Sequence, residues 1–143
     1  WDDGGRLIAY AGSIGRFHHG EIDAKGFLLW EVARTRLRHE TLAAPELIDL
    51  EVASVLRRQD RAGLLGTRRA NLALTDLAAL PMQRAPHGPL LPRCWDLRHN
   101  LTTYDAAYVA LAEALGATLL TGDRRLAHAT GPTCTIELLR PPR

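Results

Sequence analysis

The chain has 143 residues, is 46% apolar and only 6% aromatic, and carries a formal net charge of +2 at pH 7. That length is enough for one domain with a sizeable core and hardly for two. No run of about 18 apolar residues exists to cross a membrane, and no charged start followed by an apolar segment marks an export signal, so a cytoplasmic protein is expected. Cys94 and Cys134 form no C-x-x-C pair, and the histidines form no H-E-x-x-H. Both patterns argue against a zinc site, and the thiols are expected to be reduced. Lys25 is the only lysine in a chain otherwise rich in arginine. Arginine suits phosphate and carboxylate partners because its planar fork donates two parallel hydrogen bonds. Arg57-Arg58, Arg61, Arg68-Arg69 and Arg124-Arg125 are therefore candidates for a nucleic-acid rim, or simply a solvated surface.

Residues 1–6 read as an irregular lead-in, and Leu7 to Ala11 as a first buried strand. Residues 12–26, with four glycines and two adjacent histidines, are the least orderly part. Phe27 to His39 has helical spacing through Leu28, Leu29, Val32 and Leu37. Leu42 to Pro45 predicts a short strand leading to a helix, with Pro45 tolerated in the first turn. Glu46 to Asp60 predicts that helix, with Leu47, Ile48, Val52, Val55 and Leu56 on its apolar stripe. Glu51 falls inside this stripe. A carboxylate on a core-facing side is costly unless it is protonated, paired or bound to a cation. A buried arginine partner is the structural alternative.

Gly63 and Gly66 mark a loop, and Arg68 to Leu80 a further helix. Met82 to Ala85 reads as a strand, Pro86 to Pro89 as a turn, and Leu90 to Asn100 as a helix. Then comes the most informative stretch, Thr102 to Asp123. Tyr104, Tyr108, Leu111 and Leu115 recur at the steps of one helical face, with alanines between them. Thr102 or Thr103 can cap this helix, and Gly116 can close it in a left-handed conformation. Ala117 to Thr121 predicts a buried strand. Helix then strand is half of a βαβ unit, so a parallel sheet is expected, with ligands beyond the carboxyl ends of its strands. Asp123 falls at that end, and Asp105 in the first turn of the helix. Taken singly, Asp105 could only complement the helix dipole, and Asp123 could be only a turn residue or a cap. A short basic segment follows, then an alternating strand from Thr133 to Leu138 and the tail R-P-P-R.

Three acids thus occupy suggestive places: Glu51 in a stripe, Asp105 in a first turn, Asp123 beyond a strand. Converging carboxylates repel one another, and a hard divalent cation resolves the conflict. Mg²⁺ or Mn²⁺ prefers oxygen ligands, retains waters, and can assist attack of water on a phosphodiester.

P-E-L-I-D-L-E-V, L-R-H-N-L-T-T-Y-D-A-A-Y-V-A-L-A-E-A-L-G-A and L-L-T-G-D-R-R-L resemble the PIN domain, in particular the VapC toxins of bacterial VapBC toxin–antitoxin systems. The resemblance spans roughly residues 37–139. It implies one PIN-like domain over residues 1–143, with an atypical part at 1–26, folded as a three-layer α/β/α sandwich on a mainly parallel sheet. It implies a Mg²⁺- or Mn²⁺-dependent endoribonuclease whose catalytic and metal-binding acids match Glu51, Asp105 and Asp123, supported by the hydroxyl of Thr121. It further implies an RNA substrate, a VapB-type antitoxin and a homodimer. The family's first strand ends in an acid. Two registers are open here: L-I-A-Y-A-G-S, which puts Tyr10 at that position and fits the strand better, and E-I-D-A-K, which supplies Asp23 but sets Lys25 at a small hydroxyl position. With Tyr10 there, the alternative is a weakly active or inactive domain that serves as an antitoxin-binding module. A DNA-directed nuclease of the same metal class is also open, since acids select the phosphodiester and not the sugar.

Overall fold

The computed structural model describes residues 7–11, as backbone, and residues 41–139. The expected helix at 27–39, the irregular stretch at 12–26 with Asp23 and Lys25, and the R-P-P-R tail lie outside the described residues.

Five strands form one sheet: β1 (Leu7–Ala11), β2 (Thr41–Pro45), β3 (Met82–Ala85), β4 (Thr118–Thr121) and β5 (Ile136–Leu138), in the order β3-β2-β1-β4-β5. Every pairing is parallel. Ala9 of β1 faces Ala43 of β2 on one side and Leu119 of β4 on the other, so β1 is the middle strand. Five helices are described: α1 (Leu47–Arg61), α2 (Thr67–Ala79), α3 (Leu91–Asp96), α4 (Thr103–Leu115) and α5 (Arg124–Ala127). A single-turn 3₁₀ helix, Gly88–Leu90, lies where a plain turn is expected. The fold is α/β with helices packed on a parallel sheet, as the sequence predicts.

Parallel strands force each crossover to return the chain to the same starting edge. A helix that follows a strand therefore begins at the strands' carboxyl edge. α1 follows β2, α5 follows β4, and α4 carries the chain back to the start of β4. The strand order reverses between β1 and β4, which makes the carboxyl ends of those two strands the switch point where such sheets bind ligands.

α4 is the central helix of the core. Thr102 caps it by accepting the Asp105 N–H at 3.1 Å, and Gly116 closes it at φ +58°. The Ala117 N–H then donates back to the Ala112 carbonyl at 2.9 Å, satisfying an end carbonyl. All residues from Ala106 to Ala112 are buried. The helix is thus covered on most sides, and the single apolar stripe read from the sequence is incomplete: Tyr104 is 64% exposed and Leu115 39% exposed. Both sit at helix ends, beyond the reach of the covering elements.

Three boundaries differ from expectation. Pro45 is the last residue of β2, not a first-turn residue of α1. α3 ends at Asp96 instead of reaching Asn100. Side chains there divert the chain: Arg98 donates to the Trp95 carbonyl at 2.8 Å, and Asn100 donates to the Thr130 carbonyl at 2.7 Å. β5 begins at Ile136, not Thr133, because the Thr133 N–H is taken by Glu113 at 2.7 Å.

Two arginines lock the helices. Arg84 grips Asp49 through Nε at 2.7 Å and Nη2 at 3.0 Å, and also donates to the Leu77 carbonyl, tying the start of α1 to the end of α2. Arg93 grips Glu113 through Nε at 2.6 Å and Nη2 at 3.1 Å, and donates to the Gly131 carbonyl at 3.0 Å. Glu113 also accepts from the Thr133 hydroxyl at 2.9 Å. This one carboxylate therefore joins α3, α4 and the segment before β5.

Hydrogen bonds from Arg93, and then from Thr133, hold the Glu113 carboxyl down at about 2, against the opposing effect of burial. The folded-state value lies below the unfolded one of about 4.3, so the stabilisation is complete above that pH and is lost as pH falls toward 2. Glu113→Gln is expected to lower unfolding stability at pH 7 by about 1–2 kcal/mol, the lower part of the range for charged hydrogen bonds because Arg93 is partly exposed. Urea denaturation of both chains from pH 7 to pH 2.5 should show the difference shrinking below about pH 4.

Candidate active site

The carboxyl edge collects the acids because of where each element starts. Glu51 lies in the second turn of α1, Asp105 in the first turn of α4, and Asp123 just past β4 as the N-cap of α5. All three are half-buried.

Glu51 is the acid that the stripe made conspicuous, and its partner is Tyr108 of α4. The Tyr108 hydroxyl donates to Glu51 Oε2 at 2.6 Å, and the Tyr108 side chain is 2% exposed. Among the described residues, no arginine pairs with Glu51. Burial pushes the Glu51 carboxyl above the usual carboxylate range, the charge of Asp105 pushes it further, and the Tyr108 hydrogen bond opposes both. Asp105 therefore bears on Glu51 as a like charge.

Asp105 is held in a reciprocal cap. Its N–H donates to Thr102 Oγ1 while the Thr102 hydroxyl donates to Asp105 Oδ2 at 2.7 Å. Asp123 is held by Thr121, a fully buried residue whose hydroxyl accepts the Asp123 N–H at 3.0 Å. Asp123 Oδ1 in turn accepts the Arg125 N–H at 2.7 Å, which is the capping role weighed for it from the sequence. Among the described residues, no three His, Cys, Asp or Glu side chains stand close enough together to hold a metal ion. The described geometry pairs Glu51 with Asp105 and sets Asp123 at the neighbouring strand end, facing α5.

β1 is the Leu7–Ala11 run, so the first strand of the sheet contains Tyr10 and no acid. Tyr10 is in register with Leu120, and Ala11 with Thr121. Asp23, the other candidate, lies outside the described residues. Arg124 and Arg125 directly follow Asp123 and are exposed, without an ion pair among the described residues. Arg57, Arg58 and Arg61 lie toward the opposite end of α1 from Glu51, on the order of 10–15 Å along the helix axis.

The helical spacing alone marks Tyr108 as an ordinary stripe residue. A tyrosine within a stripe of alanine and leucine was the available signal, since a buried phenol needs a partner for its hydroxyl.

A family model described as PIN domain matches residues 27–132. Ribonuclease VapC1 of Mycobacterium tuberculosis is 47% identical over 110 residues, which cover 76% of this chain and 83% of that protein. Ribonuclease VapC12 of the same organism is 41% identical over 108 residues, covering 76% of this chain and 83% of that one. Among solved structures, PAE2754 from Pyrobaculum aerophilum superposes with a TM-score of 0.62 over 92% of this chain and 83% of that one, at 22% identity, a likeness of fold. The family match begins after β1, and thus includes Glu51, Asp105 and Asp123 but not Tyr10.

The raised Glu51 value carries a stability consequence. A carboxyl raised above its unfolded value contributes stability below the unfolded value of about 4.3, and that contribution is lost as pH rises through the folded value. Above that raised value the ionised Glu51 is a burden. Glu51→Gln, measured by thermal unfolding in EDTA, is expected to be more stable than the parent at pH 7.5 and to lose that advantage near pH 4. Partial solvent access keeps the gain below about 1 kcal/mol.

Proposed function

The chain belongs to the PIN-domain family, with VapC-type ribonucleases as its relatives, and from that membership we propose that it is a Mg²⁺- or Mn²⁺-dependent endoribonuclease, the toxin of a toxin–antitoxin pair. RNA would be its substrate, a VapB-type protein its antitoxin, and a homodimer its assembly. Residues 1–143 would form one domain with an atypical part at 1–26.

The observation that carries this reading is the Glu51–Asp105 pair at the carboxyl edge of a parallel sheet. Burial and the neighbouring carboxylate both oppose ionisation of Glu51. A divalent cation between the two acids would offset both effects, and their oxygens are the donors that Mg²⁺ and Mn²⁺ prefer. The residues present therefore fit such an ion, with Glu51 and Asp105 as its ligands and Asp123 as the acid nearest to them in the topology. When bound, the ion supplies neutralisation of the phosphodiester and a more acidic water.

The chain's own groups would do the rest. Tyr108 fixes the rotamer of Glu51, and Thr102 fixes that of Asp105. Thr121 holds the backbone of the Asp123 turn, so the free oxygen of that carboxylate can orient a water. Arg124 and Arg125 contact phosphates on either side of the cut. Positioned ligands of this kind reduce the reorganisation needed in the transition state.

Two outcomes test the reading. Asp105→Asn should abolish Mn²⁺-dependent cleavage of RNA, a loss of about 10²-fold or more, and EDTA should do the same to the parent. Cleavage that survives both would sink it. Tyr10→Asp restores an acid to the first strand, and calorimetric titration with Mn²⁺ should show binding about ten-fold tighter or more than in the parent, since a further carboxylate ligand is gained. A chain that binds no Mn²⁺ until Tyr10→Asp is made would be an inactive module, not an enzyme.

A further inference from the structure

We propose that Tyr104 is a stacking platform for an unpaired nucleobase next to the scissile phosphate. The proposal rests on the ribonuclease reading above and adds a substrate-positioning residue to it.

Tyr104 precedes Asp105 in the first turn of α4 and is 64% exposed. It lies four residues before Tyr108, so both tyrosines share one face of the helix, a turn of about 5.4 Å apart. Tyr108 is the residue that reaches Glu51 at 2.6 Å. Helical side chains lean toward the helix N-terminus, which carries the Tyr104 ring past the start of α4 at the carboxyl edge of the sheet. The ring is therefore at the rim of the acid pair, one turn above the phenol that anchors it.

Nothing within the described fold uses this ring. It makes no hydrogen bond and no ring contact among the described residues, in contrast to the buried Tyr108. Its neighbours on the exposed side are the hydroxyls of Thr102 and Thr103, while the residues three and four positions on are buried. A protein-docking anchor is normally ringed by other exposed apolar groups on its own face, and Tyr104 has none on α4 within a turn. A nucleobase needs only a π-face and nearby cations for its phosphates. The cations are Arg124 and Arg125, exposed just beyond Asp123 at the same edge. Stacking of this kind tolerates any base but requires that the base be unpaired, which excludes a continuous duplex.

The test uses the full chain with Asp105→Asn, so that RNA is bound and not cut, and fluorescence anisotropy with a labelled single-stranded oligoribonucleotide. Adding Tyr104→Ala should weaken binding about five- to a hundred-fold, the usual range for losing one stacked base. Tyr104→Phe, which keeps the ring, should restore most of it. Trp95→Ala is the matched control: Trp95 is 69% exposed, on a helix that Arg93 ties to Glu113, two turns along α4 from Asp105. It should leave binding unchanged. A Tyr104→Ala chain that binds RNA as well as its parent overturns the proposal. So does a Tyr104→Phe chain as weak as Tyr104→Ala, because the hydroxyl and not the ring would then matter. Loss of self-association with RNA binding intact would assign the ring to a protein interface and likewise overturn it. Failure of the underlying ribonuclease reading is distinguishable: the chain with Tyr104 intact would then bind no RNA at all, which overturns both.

Discussion

The common direction of the five strands is the constraint on which everything else depends. Because each crossover must return to the amino edge, the starts of α1, α4 and α5 all fall at the carboxyl edge. Glu51, Asp105 and Asp123 stand far apart in the sequence, and no local contact recruits them to one place. The reversal of strand order between β1 and β4 then opens the crevice there. Helix N-termini add partial positive charge to that edge, which is the field that both carboxylates and phosphates prefer.

Two glutamates show how the same side chain can serve opposite ends. Glu113 has an arginine and a threonine aimed at it, its carboxyl is held down to about 2, and its ionised form is favoured. It joins three segments, and its hydrogen bonds outweigh the effect of burial. Glu51 has a tyrosine hydroxyl and a neighbouring carboxylate, and its ionised form is disfavoured. Among the described residues, the difference is that Glu113 has an arginine beside it and Glu51 has none. Stability alone would have placed an arginine or an apolar residue at that position. In the proposed reading, a site that accepts a mobile cation would need an acid held in a fixed geometry, and Tyr108 would provide the geometry without the charge.

Much of the fold was legible because local chemistry and global position agree. Thr102, Gly116 and the alanines between them define α4 without any tertiary information. Glu51 stood out for the simple reason that a carboxylate does not belong in an apolar stripe. What could not be read were choices made by distant residues. The partner of Glu51 lies 57 residues away, and nothing local distinguishes a tyrosine from an arginine as its counterpart. The early end of α3 depends on Asn100 finding Thr130, and the late start of β5 on Glu113 taking Thr133. α5 has four residues, too few for any helical period to register. Tyr104 and Leu115 followed the periodic pattern but stand outside the core, because periodicity gives a direction and the packing elements decide how far along the helix cover extends.

β1 separates two roles that a strand can play. As backbone it is indispensable, since it is paired on both sides and its removal would split the sheet between β2 and β4. That role asks only for extended, unbranched pairing, and L-I-A-Y-A satisfies it without a carboxylate. As a source of a ligand, the same strand can be silent while the fold is unaffected, and the family-model match at residues 27–132 does not include it. The consequence is electrostatic. With no acid on β1, the edge gathers less negative charge, and Glu51 and Asp105 repel fewer neighbours. A cation held by fewer carboxylates keeps more of its own positive charge for a phosphate, but is itself held less tightly. In the proposed metal-dependent reading, a strand that adds no carboxylate would leave a cation less tightly held at this edge, so occupancy of the site would be the quantity through which β1 acts.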